Sequence, residues 1–485
     1  MNRSTTVVLA STLTLALAFT SSAAHAQSEN TFTGTSAGIH STGDFNSGFG
    51  FQSLFSNTSG EENTAVGWDS LIFNTTGVGN VAVGENVMRD NATGTDNVAI
   101  GHGAMLHNDV DGNVGIGAAA LSANGVGIQN VAVGYEAGSS LNDVGANTLV
   151  GYQALASAAG HNTGFNVAIG TTALGQATTA FQTVAIGFQA MEASTTATNS
   201  VAIGNTALTF CTNCDSDVAV GGQSLNRATG IRNTALGTLS GVAIQTGQDN
   251  VAIGWNTLFN VVAGSDNTAV GFNSGPSADF SSTVALGAAA EPQMNGDVAL
   301  GNFAVSRIGG FKPYSNLSDA RFKTNVKENV PGLAFIKRLR PVTYNWDMDK
   351  LAVLDGQKQS VSAVNEALRK QNAEELNTGF LAQEVEQAAK DIGYQFSGVS
   401  KPTNDTAPYA LAYSEFVVPL VKAVQEQQAQ IDQLRESLKV ARLERTEPAQ
   451  HSGMLGDTSS LGVVGGLLGL LFIKRSKENS TGAQK

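Results

Sequence analysis

From about Gly50 to Gly301 the chain repeats one short phrase: a polar residue, a branched apolar residue or threonine, alanine, a branched apolar residue, then glycine. The full form ends at Gly67, Gly84, Gly101, Gly134, Gly170, Gly204, Gly254 and Gly271, and degenerate copies keep the frame at Gly117, Gly151, Gly187, Gly221, Gly237, Gly287 and Gly301. A fixed period near seventeen residues marks a solenoid, in which each repeat buries its apolar surface only against its neighbours. Period-two alternation within the phrase predicts a short strand with the large side chains on one face and alanine on the other. The alanine face is expected to look outward, where it lets another backbone approach closely. A second segment follows each glycine, as in YQAL ending at Leu155 and FQAM ending at Met191, and predicts a second short strand before Thr/Gly-rich turns close the coil. About sixteen such coils, stacked at the roughly 4.8 Å of neighbouring strands, make a rod of roughly 75 Å. A coil this thin encloses few apolar side chains, so association of several chains is expected. The asparagines heading most copies, Asn63, Asn80, Asn97 and Asn130 among them, predict side-chain ladders that satisfy turn amides.

These repeats resemble the head domains of trimeric autotransporter adhesins. The resemblance implies a trimeric, left-handed parallel β-roll for residues 27–305. Those adhesins end in a membrane β-barrel, and no such pattern is read here, so the route to the surface is left open.

Beyond a connector at 306–317 the pattern changes: charges become dense and glycine rare. Helical patterns run over 331–338, 357–376 and 379–393, and the aromatic and β-branched residues of 339–346 predict a strand. From Val417 the apolar positions Val417, Leu420, Val424, Ile431, Leu434, Leu438 and Ala441 alternate steps of three and four, with Gln427 as the polar member of the seam. Uniformly polar flanks at Glu426, Gln428, Gln430 and Asp432 favour a coiled coil over 417–446 rather than a helix folded back on its own domain.

Four motifs in this module occur in order: Ser318-Asp319-x-Arg321-x-Lys323-x-Asn325-Val326, then Leu339-Arg340-Pro341-Val342-x-Tyr344-x-Trp346, then Gly379-Phe380-Leu381-Ala382-Gln383-Glu384-Val385-Glu386, then Tyr413 with the terminal helix. Together they resemble the intramolecular chaperone domain of endosialidase tailspikes, found also in many phage fibres and in myelin regulatory factor. The resemblance implies a domain (318–416) that trimerises, helps a β-rich body fold, and cuts itself off. Ser318 is then the nucleophile and Lys323 its base, the scissile bond is Leu317–Ser318, and Asp319, Arg321 and Asn325 support the motif. A serine hydroxyl needs a base to take its proton, and lysine serves only when neutral. Arg321 and burial on assembly are expected to favour the neutral amine. A spacing of five puts the two side chains on opposite faces of a strand and roughly 140° apart around a helix. Either the chain bends here, or the lysine serves a neighbouring subunit's serine.

Composition narrows the rest. A formal charge of −13 and a pI near 4.9 exclude a phosphate-binding surface, so no nucleic-acid partner is expected. Arg3, the apolar run from Val7 to Phe19 and Ala24-His25-Ala26 read as a secretory signal over 1–26, which also disfavours a phage-fibre origin. Export makes Cys211 and Cys214 a local disulfide bracing one loop rather than a redox or zinc pair. His40, His102, His107 and His161 are isolated, so neither a metal nor a cofactor is expected. In the tail (447–485), the apolar stretch 461–473 followed by Lys474 and Arg475 is short for a span. It resembles the sorting tails of some exported bacterial proteins, and both weak membrane association and a merely sticky tail stay open.

The expected protein is thus a homotrimeric β-roll at the cell surface or outside the cell, followed by a smaller α-rich chaperone domain. It is adhesin-like or fibre-like, with a host-surface or glycan ligand, and is matured by one self-cleavage event. The alternative is a secreted glycan-binding or glycan-degrading trimer carrying the same chaperone.

Overall fold

The computed structural model describes residues 29–142, 145–158, 163–302, 305, 307–311, 315–354, 363–402 and 408–446. The expectations for the signal segment, for His161 and for the apolar tail lie outside the described residues. Two compact units are present, the first containing the repeats and the second beginning at Ser318.

The repeat body is a parallel β-solenoid. Three-residue strands from Thr31–Thr33 to Val298–Leu300 stack into one seventeen-stranded sheet. Each pairs in register with the next, Thr64, Ala65 and Val66 lying on Val81, Ala82 and Val83, which lie on Val98, Ala99 and Ile100.

The sidedness of these strands is the reverse of the sequence expectation. Ala65, Ala82, Ala99, Ala132, Ala168, Ala185 and Ala202 point into the coil and are fully buried, whereas flanking residues such as Val66, Val83 and Ile100 are half-buried or exposed on the outside. Coil width is the cause. The interior between the strand and the opposite wall is already filled by the residue four places after each glycine, Leu54, Leu71, Met88, Met105, Leu155, Leu174, Met191 and Leu208, all fully buried, and only a methyl group fits against it. Where Gly138 replaces that large residue, Leu149 replaces the strand alanine and Leu141 is buried beside it; a Cβ on Gly138 would lie 2.7 Å from the Leu149 side chain.

The second segment of each coil is not a strand. In most coils, alternate residues there adopt left-handed φ, as at Asp69 (53°) and Leu71 (51°) or Gln189 (55°) and Met191 (54°). Their N–H groups reach in opposite directions, Asp69 to the Phe51 carbonyl of the preceding coil (3.0 Å) and Leu71 to the Val87 carbonyl of the next (3.0 Å). Such conformations cost of order 1 kcal/mol per residue, and the continuous inter-coil hydrogen bonding offsets them. Among the described residues, further strands form at Thr179–Phe181, Thr196–Thr198 and Asn213–Asp215, a three-stranded sheet of their own that lies after this segment, in the stretch expected as a turn.

The asparagine ladder forms as expected. The Asn63 amide donates to Asn46 Oδ1 (3.0 Å) while its side chain donates to the Gly77 carbonyl (2.8 Å), and Asn80 and Asn97 repeat both bonds one coil further on. A second ladder runs through Asn57, Asn74 and Asn91, each bonding the carbonyl three residues ahead, at Gly60, Gly77 and Gly94. Cys211 and Cys214 occupy the same two positions in their own coil, seven and ten residues after Gly204 as Asn74 and Gly77 are after Gly67, and are joined as a fully buried disulfide, a covalent substitute for the asparagine–carbonyl bond. The glycine ending each strand also stacks: Gly67 has φ of 132°, and a Cβ there would lie 2.2 Å from the Gly84 carbonyl oxygen.

The second unit is organised around Phe335, fully buried in the short helix Leu333–Ile336. Its ring meets Phe396 (centroids 5.0 Å apart) and Tyr394 (5.3 Å), and Phe416 packs on Phe396 at 4.8 Å. The helix Ala382–Lys390 adds Val385, Ala388 and Ala389 to this core. The expected strand is present at Val342–Tyr344, and the 357–376 pattern corresponds to a helix at Ala363–Glu374 preceded by another at Met348–Leu354, both helices grouping with the first unit rather than the second.

A single helix runs from Val417 to Thr446. Near its start Ala423 is buried, a Cβ on Gly332 would lie 2.7 Å from the Ala423 amide nitrogen, and Glu426 accepts the N–H of Leu333 (2.8 Å). The expected seam, Val417, Leu420, Val424, Gln427, Ile431, Leu434, Leu438 and Ala441, is exposed along the whole helix.

Candidate active site

Ser318 lies outside regular secondary structure, and from Ser315 to Glu328 every residue but Asp319 is exposed. The backbone then makes one turn of 3-10 helix at Ala320–Phe322. The reason is local. Asp319 is extended (φ −78°, ψ 128°), its carboxylate accepts the Arg321 N–H at 2.9 Å, and its carbonyl accepts the Phe322 N–H at 3.1 Å, the geometry of an N-cap. The turn closes with the Lys323 N–H on the Ala320 carbonyl (3.1 Å), and the chain leaves it extended.

Within one chain this bend brings the two side chains together. Lys323 Nζ donates to Ser318 Oγ at 2.7 Å within one chain. A base on the hydroxyl at this distance is placed to take its proton. Asn325, two residues on, adopts left-handed φ (56°), a conformation asparagine tolerates better than most residues.

Arg321 has a different occupation from the one expected of it. Its guanidinium donates twice to Asp319 Oδ2, at 2.6 and 2.9 Å, and lies 5.7 Å from the Phe322 ring centroid. The hydrogen bonds from Arg321 hold the Asp319 carboxyl below its ordinary range, so the pair is close to neutral and offers Lys323 no uncompensated positive charge. Nor are Ser318 and Lys323 shielded from water in this chain: both are exposed, Leu317, before the serine, is 83% exposed, and Phe322 and Val326 are 70% and 80% exposed.

The remaining motif residues hold the unit together. Arg340 and Glu384 form a two-point ion pair across 44 residues, tying the second motif to the third. The Tyr413 hydroxyl accepts the Phe380 N–H (3.0 Å), tying the third to the fourth. Sequence reasoning missed Glu426 as the cap of the 333–336 helix. The only trace of it was an acidic residue beside the seam, which any solvated helix face also carries. Among the described residues no cluster of three or more His, Cys, Asp or Glu is arranged to hold a metal, and no helix is long and apolar enough to cross a membrane.

Residues 318–394 match a peptidase-type family model described as chaperone of endosialidase, and the match opens at Ser318. The family is one of self-cleaving chaperone domains of serine-peptidase type. A search of the curated proteins found no match.

Proposed function

We propose, from a chaperone-of-endosialidase segment that begins at the serine of a Ser–Lys pair, that this chain is an exported, homotrimeric β-solenoid, adhesin-like or fibre-like. Its C-terminal module assembles three copies and then releases itself by cutting Leu317–Ser318. The observation that carries the reading is the 2.7 Å bond from Lys323 Nζ to Ser318 Oγ at the first residue of the family match.

The chemistry runs in two steps. Neutral Lys323 takes the Ser318 hydroxyl proton as Oγ attacks the Leu317 carbonyl carbon. The Leu317–Ser318 C–N bond breaks, the proton passes to the departing Ser318 nitrogen, and Leu317 is left as an ester on Ser318 Oγ. Water then hydrolyses the ester, leaving a carboxylate on Leu317 and a free amine on Ser318. Each chain reacts once.

Assembly is the gate. In the lone chain Ser318 and Lys323 are both exposed to water. Packing of Leu317, Phe322 and Val326 against sister chains would exclude that water. Two features support the trimer: the exposed apolar seam of the 417–446 helix, and the outward row of branched residues on the solenoid, which includes Ile100, Val131, Ile203 and Leu286. Cutting after assembly removes the template that set strand register, so the rod persists kinetically.

The test is the intact mass of the expressed protein beside Ser318→Ala and Lys323→Ala. Two fragments meeting at Ser318 in the first sample and one uncut chain in each variant are expected. A cut elsewhere, or a cut that survives Ser318→Ala, overturns the reading.

A further inference from the structure

We propose that Asp319 is the positioning residue of the cleavage reaction, holding Lys323 on Ser318 through a turn that it both caps and clamps. This rests on the reading of Ser318 and Lys323 as nucleophile and base. The two lie five positions apart, a spacing that neither a strand nor a helix brings together. One turn of 3-10 helix does so, and a lone turn has no cooperative support from further turns. Asp319 supplies the support from its side chain. One carboxylate oxygen accepts the Arg321 N–H inside the turn at 2.9 Å, and the other takes the Arg321 guanidinium at 2.6 and 2.9 Å, fixing the same residue at backbone and side chain.

The carboxylate is the half-buried member of a stretch otherwise open to water. Its role is exerted on the backbone that carries Lys323, not on the reacting atoms. Without the cap the turn frays, and Lys323 samples the extended path that points its amine away from Oγ.

The experiment follows self-cleavage of the full chain by intact mass across a range of pH, for wild type, Asp319→Ala, Asp319→Asn and Arg321→Ala, with assembly read by size-exclusion chromatography. Asparagine caps as well as aspartate, and alanine does not. Asp319→Ala should therefore lower the high-pH plateau roughly tenfold, while Asp319→Asn stays within about threefold of wild type. Arg321→Ala, which like Asp319→Asn keeps the cap and loses the clamp, should match Asp319→Asn, and the pH midpoint should be common to all four.

Asp319→Ala cutting at the wild-type rate overturns the proposal. So does Asp319→Asn as slow as Asp319→Ala with a moved midpoint, since charge rather than geometry would then be at work. Should Asp319→Ala fail to assemble, Asp319→Asn decides alone: near wild type supports the role, and a tenfold loss overturns it. Wild-type protein left uncut at Leu317–Ser318 sinks the dyad reading instead, which keeps the two failures apart.

Discussion

Removing two apolar layers from the terminal helix should stop cleavage without touching the dyad. Leu434 and Leu438 are 63% and 64% exposed in the single chain, so most of each side chain remains to be buried in a three-helix seam. Full burial of a leucine contributes about 1.5–3 kcal/mol, and the exposed two-thirds therefore about 1–2 kcal/mol. Two layers of three leucines sum to about 6–12 kcal/mol per trimer, an upper range because the reference chain is taken as fully extended. At 1.4 kcal/mol per decade that is roughly four to nine orders of magnitude in the association constant. The double variant Leu434→Ala/Leu438→Ala is thus expected to be monomeric at micromolar concentration. It should also stay uncut, because its dyad keeps the exposed geometry of the lone chain. Sedimentation velocity gives the assembly state, and intact mass after matched incubation gives the extent of cleavage. Ser318→Ala, uncut yet trimeric, is the control that separates loss of chemistry from loss of assembly. A monomeric double variant that cuts itself as fast as wild type would refute the gate.

Three further outcomes concern the body. Ala202→Leu drives a larger side chain into a coil interior already filled by Met191 and should destabilise by about 1–3 kcal/mol, seen as a lower melting temperature of the cleaved body. Asp217 stands where other coils have a ladder asparagine; burial pushes its carboxyl up to about 7, and Oδ2 has no partner. A carboxyl raised above its unfolded value binds more protons folded than unfolded, so stability should fall as pH rises from about 4 through 7, and Asp217→Asn should remove that slope in urea titrations at several pH values. Reducing the Cys211–Cys214 bridge should cost roughly 2 kcal/mol, and the pair Cys211→Asn/Cys214→Gly, which restores the frame of Asn74 and Gly77, should melt identically with and without reductant.

Much of this architecture could be read directly from the residues. The strand glycines, the asparagine ladders and the coil period follow from chemistry that repeats at one spacing, since every coil must satisfy the same turn amides and let the same backbones touch. The family resemblance carried by four motifs in order implied a nucleophile, a base and a bond before any coordinate did. Tertiary structure decided three things. It turned the alanines inward, because period-two alternation marks two faces of a strand without saying which encloses the core, and only the width left beside Leu71 or Met88 settles that. It replaced the second strand by alternate left-handed residues, which show the same period-two pattern along the chain and so look alike in sequence. And it brought Lys323 to Ser318, because whether two side chains five residues apart can meet depends on a single capped turn, a matter of backbone path that spacing alone does not specify.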